Sequence, residues 1–183
     1  MKTLIIDNGT KSIDETKALV GGEKTILTPD SLDNLDVNSF DLVILSGGSV
    51  HSAFNDVVFG KEKELIRKST VPILGICLGF EIMTLAFGGT LKELPKEHKG
   101  LEKISVTTQN PIFSGMKLFV AYEHHHRSID ILPKDFEVLA VSGKEIAVIC
   151  HKTLPMYGFQ FHPEYSAEKN DGAEIFSNFL KTI

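Results

Sequence analysis

Continuous apolar runs alternate with amphipathic segments in the first half of the chain. Three runs contain no polar side chain, at residues 4–6, 42–45 and 71–76. Such runs are typical of strands that are buried on both faces, as in a parallel sheet covered by helices. Between the runs, residues 13–20 and 61–69 carry apolar side chains at helical intervals. This alternation of strands and helices predicts an α/β fold.

The second half of the chain is richer in predicted strands, which Pro, Gly and Asp turns separate. The strand-like runs lie at residues 104–106, 118–120, 138–141, 147–149 and 157–161. A helical pattern over residues 173–180 closes the chain. We predict one domain over residues 1–183, a three-layer α/β fold whose mostly parallel sheet has helices on both faces and an antiparallel extension. A functional site is then expected at the carboxyl ends of the parallel strands.

Composition narrows the class of protein. The 183 residues are 42% hydrophobic and 23% charged, as in ordinary globular proteins, and the formal net charge is −5. A mildly acidic chain lacks the clustered Lys and Arg that nucleic-acid binding needs. No apolar run reaches the roughly 20 residues of a membrane span, and the first run is too short for a secretory signal. With only two cysteines, we expect a cytoplasmic protein that binds neither nucleic acid nor membrane.

A cysteine occupies the turn between a predicted strand and a predicted helix. Residues 75–79 are Gly-Ile-Cys-Leu-Gly, directly before a helical pattern at 80–87. This is the pattern of a nucleophile elbow, in which the glycines leave room for a strained turn. The N-terminus of the following helix favours the thiolate. We predict that Cys77 is a nucleophile and that the Leu78 N–H faces a developing oxyanion.

A nucleophilic cysteine needs a base, and His162 is the best candidate among the seven histidines. It directly follows a predicted strand and precedes Pro163 and Glu164. Proline biases the preceding residue towards an extended conformation, and residues two apart in an extended chain project to the same side. Glu164 is therefore expected to bond to the imidazole and fix its tautomer. The resulting hypothesis is a Cys77–His162–Glu164 triad.

A second turn, Ser46-Gly47-Gly48-Ser49, follows the predicted strand at 42–45. Consecutive glycines at the end of a strand let backbone N–H groups line a pocket. Taken alone, the sequence fits a plain tight turn at least as well. Beside a nucleophilic cysteine, the Gly48 N–H becomes the second expected oxyanion donor.

These motifs, in this order, resemble the class I glutamine amidotransferases. The resemblance covers nearly the whole chain, through Asp-Asn-Gly at 7–9, Ile-Leu-Ser-Gly-Gly at 44–48, and the segments 72–79 and 157–164. Within the family the chain is most similar to the free-standing glutaminase subunit of archaeal-type GMP synthase.

The resemblance implies a glutaminase that needs no cofactor. Cys77 would attack the side-chain amide of L-glutamine, and the thioester would be hydrolysed with His162 as acid and base. Gly47, Gly79 and Glu81 would lie beside the substrate. The ammonia would pass to an ATP-dependent synthetase subunit on a separate chain, which in GMP synthase aminates XMP.

Three positions depart from the family pattern. Glu81 stands where glutamine is usual, Ser49 where proline is usual, and Arg127 where the GMP synthase branch has aspartate, although His125 of the same stretch is kept. A carboxylate at 81 would repel the α-carboxylate of glutamine. The alternatives are therefore a glutaminase of another synthetase (such as anthranilate or aminodeoxychorismate synthase), a γ-glutamyl hydrolase, or a non-catalytic subunit.

Other chemistry-bearing residues have simpler interpretations. Neighbours in the triplet His124-His125-His126 would point to opposite faces, so we expect a surface loop and no metal site. Cys150 ends an apolar run without flanking glycines and is expected in the core, with Phe159 and Phe161. The charged run at 61–68 is expected to be a solvated helix face.

Overall fold

A nine-stranded sheet forms the centre of the protein in a computed structural model, which describes residues 1–165 and 170–183. The parallel strands are β1 (Lys2–Ile6), β2 (Glu23–Leu27), β3 (Leu42–Leu45), β4 (Ile73–Ile76) and β9 (Met156–Phe159). The antiparallel strands are β5 (Thr90–Val106), β6 (Leu118–Ile131), β7 (Phe136–Ser142) and β8 (Glu145–His151). Their order is β2-β1-β3-β4-β9-β8-β7-β5-β6.

Helices cover both faces of the sheet. The helices are α1 (Ile13–Ala18), α2 (Asp56–Lys68), α3 (Leu78–Ala86) and α4 (Gly172–Leu180). One apolar cluster joins α2 and α3 to the sheet through residues such as Phe59 and Phe80. A second cluster, on the other face, joins α4 through Phe176 and Phe179. The predicted three-layer α/β fold with an antiparallel extension is confirmed.

The continuous apolar runs form buried strands, as predicted. Every residue of β3 and β4 is buried, because each strand has neighbours on both sides and helices on both faces. Cys150, Phe159 and Phe161 lie in the core, as expected. Burial, together with a contact to Glu137, raises the pKa of Cys150 to about 12, so this thiol is inert at neutral pH.

Two expectations are wrong in detail. The runs at 104–106 and 118–120 belong to much longer strands, because β5 has 17 residues and β6 has 14 and they pair antiparallel. Their polar residues hid this length. The charged run at 61–68 is not wholly solvated, since Glu62 is fully buried and Lys63 nearly so. Glu62 accepts a hydrogen bond from Asn8, and Lys63 donates one to the carbonyl of Ala53.

Helices α1 to α4 are too short or too polar to serve as membrane spans, and the described residues contain no other candidate.

Candidate active site

Cys77 lies in a sharp turn between β4 and α3. Its φ of 48° and ψ of −101° are values that L-residues rarely adopt. A Cβ on Gly75 would lie 2.7 Å from the carbonyl carbon of Gly79, and a Cβ on Gly79 would overlap the carbonyl oxygen of Leu45. Both glycines are therefore required by close backbone approach, which is the reason that the sequence pattern suggested.

His162 and Glu164 form a hydrogen-bonded pair beside this turn. The Nδ1 of His162 lies 2.7 Å from Oε1 of Glu164, whose side chain is almost fully buried. The backbone N–H of His162 donates to the carbonyl of Tyr122 in β6, which anchors the segment across the sheet. A Cβ on Gly47 would lie 3.1 Å from Cε1 of His162 and 3.7 Å from Cβ of Cys77. The imidazole and the cysteine thus meet over Gly47.

The electrostatics of the pair favour a charged imidazole. Burial lowers the pKa of His162, but the neighbouring Cys77 sulfur and the Glu164 carboxylate together outweigh it, so the pKa lies well above its ordinary value. The Sγ of Cys77 lies 3.6 Å from the carbonyl oxygen of His124. Among the described residues, no hydrogen-bond partner is found for Nε2 of His162. This nitrogen is therefore free to exchange a proton with a reacting group.

The Gly48 and Leu78 amides flank the cysteine in the same cavity. No acceptor in residues 1–165 or 170–183 bonds to either N–H. The loop that carries Gly48 is fixed from below, because the backbone N–H of Asn8 donates to Oγ of Ser46 at 2.9 Å. A Cβ on Gly48 would overlap the carbonyl oxygen of Asn8. The geometry is that of two donors directed at one developing oxyanion.

A cavity of about 480 Å³ opens over these groups, which is enough for a free amino acid. It lies where the loops after β1, β3, β4 and β9 meet, as predicted, and a segment of β6 forms a further wall. Glu81 lines the cavity, whereas Gly47 and Gly79 are not among its lining residues. The Gly79 N–H donates to the carbonyl of Ser46, which ties the elbow to the neighbouring loop.

Glu81 is paired with Arg127 across this cavity. Their nearest atoms, Oε2 and Nη1, are 3.6 Å apart, and Arg127 also donates from Nε to Glu93 at 2.8 Å. Burial raises the pKa of Glu81 to about 7, and the positive charge of Arg127 partly opposes this rise. Near neutral pH, therefore, both protonation states of Glu81 are populated.

Comparison with known families decides what this arrangement belongs to. The family model for class-I glutamine amidotransferases matches residues 4–182. The chain belongs to this family.

Individual amidotransferase relatives agree with the family match. The chain is 32% identical to the glutamine-hydrolyzing GMP synthase subunit of Methanocaldococcus jannaschii over 186 residues, which span 97% of the chain and 95% of that protein. It is 39% identical to the subunit of the same name in Methanococcus aeolicus over 142 residues, 76% of the chain and 72% of that protein.

Solved structures give the same result for the fold. The crystal structure of the corresponding GMP synthase subunit from Thermoplasma acidophilum superposes with a TM-score of 0.84 at 30% identity, covering 99% of the chain and 92% of that structure. A glutamine amidotransferase from Thermotoga maritima has a TM-score of 0.76 at 19% identity and covers 100% of the chain and 81% of that structure. The second likeness shows the shared fold alone.

Two groups of buried polar residues in this amidotransferase were not predicted. In the first, Asn8 donates from Nδ2 to both the carbonyl of Ser46 and the carboxylate of Glu62. Burial raises the pKa of Glu62 to about 8. No sequence signal separated Glu62 from its charged neighbours, because the helical pattern alone does not say which polar residue faces a loop.

The second group is His98, Glu123 and His125, which come together on β5 and β6. The histidine triplet lies in β6 rather than in the expected surface loop. The prediction that neighbouring members point to opposite faces is confirmed, since His125 is buried while His124 and His126 are exposed. The missed partner, His98, is 27 positions before His125 and meets it only through the strand pairing.

Proposed function

We propose that the chain hydrolyses the side-chain amide of glutamine and supplies the ammonia to a separate ATP-dependent synthetase subunit, as in GMP synthase, where XMP is aminated. The observation that carries this proposal is Cys77 on its strained turn, beside the hydrogen-bonded His162–Glu164 pair and open to a cavity of amino-acid size. The names of the relatives support the choice of GMP synthase among the synthetases.

The first step forms the thioester. The Cys77 thiolate attacks the amide carbon, a C–S bond forms, and the carbonyl π electrons move onto oxygen. The N–H groups of Gly48 and Leu78 stabilise that negative charge. When the intermediate collapses, the C–N bond breaks and the imidazolium of His162 gives its proton to the departing nitrogen, which leaves as ammonia.

The second step releases glutamate. Neutral His162 now takes a proton from water, and the hydroxide attacks the thioester carbon. The C–S bond breaks, the thiolate is restored and the imidazolium again carries the proton. Glu164 acts through His162, because its bond to Nδ1 keeps Nε2 directed at the reacting atoms and stabilises the charged ring.

A partner surface next to the cavity supports transfer in trans. Val50, Phe54 and Val57 are large hydrophobic residues with exposed side chains, and Val57 is 97% exposed. They directly follow the loop of Gly48, which lines the cavity. A cluster of exposed apolar residues beside an active site is typical of a protein-binding surface.

A γ-glutamyl hydrolase is the second candidate, and its main argument is Glu81. The Arg127 guanidinium weakens that argument, because it partly neutralises the carboxylate that would repel the α-carboxylate of glutamine. Release of glutamate from γ-glutamyl peptides, without hydrolysis of glutamine in the presence of a synthetase, would favour this candidate instead.

The proposal is tested by covalent labelling and by a mixed assay. A diazoketone analogue of glutamine should label Cys77, detected by peptide mass spectrometry, and should leave Cys150 unmodified. The Cys77→Ala variant should support no glutamine-dependent XMP amination by the synthetase subunit, while added ammonium still supports it. The matched control is Cys150→Ala, which should keep glutamine-dependent activity. Labelling at Cys150 alone would exclude the triad.

A further inference from the structure

We propose that His98, Glu123 and His125 bind one divalent transition-metal ion of the zinc type. The three side chains lie on one face of the β5–β6 pair. His98 is directly opposite His125 in the register, and Glu123 is two residues before His125, on the same face of β6. The proposal concerns residues outside the triad and does not depend on the proposed glutaminase activity.

The separations of the ligand atoms suit a shared cation better than hydrogen bonds. Nδ1 of His98 and Nε2 of His125 each lie 3.5 Å from Oε2 of Glu123, and the three ligand atoms all lie within 4.8 Å of one another. A nitrogen–oxygen hydrogen bond has its usual length near 2.9 Å. Two ligands with bonds of about 2.0–2.1 Å to a tetrahedral zinc ion are roughly 3.3–3.4 Å apart.

The ligand atoms are buried and have no other partner. Glu123 is fully buried and the His125 side chain is 2% exposed. Within the described residues, no hydrogen bond reaches Nδ1 of His98, Nε2 of His125 or Oε1 of Glu123. Buried polar atoms are normally satisfied, and buried carboxylates are normally paired or bound to a metal. A cation at the centre of the cluster would satisfy all three side chains at once.

Surrounding groups already orient the ligands. Nδ1 of His125 lies 2.7 Å from the carbonyl oxygen of Arg127, so this nitrogen carries the proton and Nε2 presents its lone pair to Glu123. The hydroxyl of Ser142 donates to Oε2 of Glu123 at 2.9 Å. Carbonyl and hydroxyl contacts of this kind fix the ligands of metal sites.

The donor set selects the class of cation. Two imidazoles and one carboxylate suit zinc and its transition-metal neighbours, whereas magnesium and calcium prefer oxygen ligands alone. His98 is 32% exposed at its side chain, which gives a path for entry and for a water in the fourth position. The ion would stiffen β6 next to His124, whose carbonyl contacts the Sγ of Cys77.

The test uses the full chain without a histidine tag, stripped of metal by a chelator. Titration calorimetry should show one Zn²⁺ bound per chain with a micromolar or lower Kd, and Co²⁺ should give the visible absorption bands of a tetrahedral site. His98→Ala, at the most exposed position of the cluster, should weaken Zn²⁺ binding by about 100-fold and abolish the rise in melting temperature that Zn²⁺ produces. Glu123→Gln, which keeps the shape of the side chain, should weaken binding likewise.

The matched control is the double variant His124→Ala/His126→Ala, which removes the two exposed imidazoles of the triplet. It should bind Zn²⁺ as the unaltered protein does. Loss of binding in this double variant with full binding in His98→Ala would overturn the proposal, since the exposed triplet would then be the site. Failure of the unaltered chain to bind Zn²⁺ at micromolar concentrations would overturn it as well.

Discussion

The Nη1 of Arg127 lies 3.6 Å from Oε2 of Glu81 in the wall of the cavity that contains Cys77. These two residues are also positions at which the sequence departs from the amidotransferase pattern. A carboxylate at 81 and a guanidinium at 127 compensate each other, so the two departures amount to one change of charge arrangement. The expected repulsion of the substrate carboxylate by Glu81 is correspondingly reduced.

A double-mutant cycle at this pair should show strong coupling. Arg127→Ala leaves a buried carboxylate without its cation and should raise the KM for glutamine by roughly 10-fold, more at pH 8 than at pH 6 because the pKa of Glu81 is about 7. Adding Glu81→Gln should recover most of the loss. We expect a coupling energy on the order of 1 kcal/mol from steady-state kinetics, and additive effects would contradict the compensation.

Glu164→Gln should impair catalysis while the protein stays folded. Glu164 raises the pKa of His162, so its neutralisation should lower that pKa. The imidazolium would be lost at a lower pH, and the alkaline limb of the kcat/KM profile should move down in pH, with kcat reduced by about 10²-fold or more. Glu137→Gln is the control, because Glu137 contacts the other cysteine, Cys150. An unchanged profile in Glu164→Gln would contradict the positioning role.

Glu62 should make the stability of the protein depend on pH. The folded state raises its pKa from an ordinary 4.5 to about 8, so the folded protein holds a proton that the unfolded chain has lost. The free energy of unfolding should therefore fall as pH rises from about 4.5 to 8, by up to about 1.4 kcal/mol per pH unit. Glu62→Gln should remove this slope in urea titrations.

The control for Glu62 is Glu64→Gln on the same helix. Glu64 is exposed and pairs with Lys68, so its replacement should leave the slope in place. If the unaltered protein and Glu62→Gln show the same pH dependence, the buried carboxylate is not the group that titrates.

Val57→Asp should separate glutamine hydrolysis from ammonia delivery. Val57 is almost fully exposed in the first turn of α2, where an acidic residue suits the helix dipole, so the fold should be unharmed. If residues 50–57 contact the synthetase subunit, glutamine-dependent amination should fall at least 10-fold while ammonia-dependent amination persists. Leu118→Asp, an exposed apolar position at the far end of β6, should have no such effect.

Local chemistry made part of this protein predictable. The runs that form β3 and β4 announced themselves because strands buried on both faces need apolar residues throughout. The His162–Glu164 pair followed from two positions in an extended chain. The Glu81–Arg127 and His98–His125 contacts depend instead on how β5 and β6 are aligned. That register shifts between Glu93 and His98, and no feature of the sequence marks the irregularity.

The backbone of residue 77 sets activity against stability. At a positive φ, a glycine would be more comfortable than any side chain, and strain of this kind costs about 1–3 kcal/mol. An inactive Cys77→Gly protein should therefore melt at a higher temperature than the inactive Cys77→Ala protein, which has a Cβ in the same turn. Selection for robustness alone would have replaced the cysteine. Its presence there means that the rest of the fold carries a margin of stability large enough to hold a reactive sulfur in an unfavourable place.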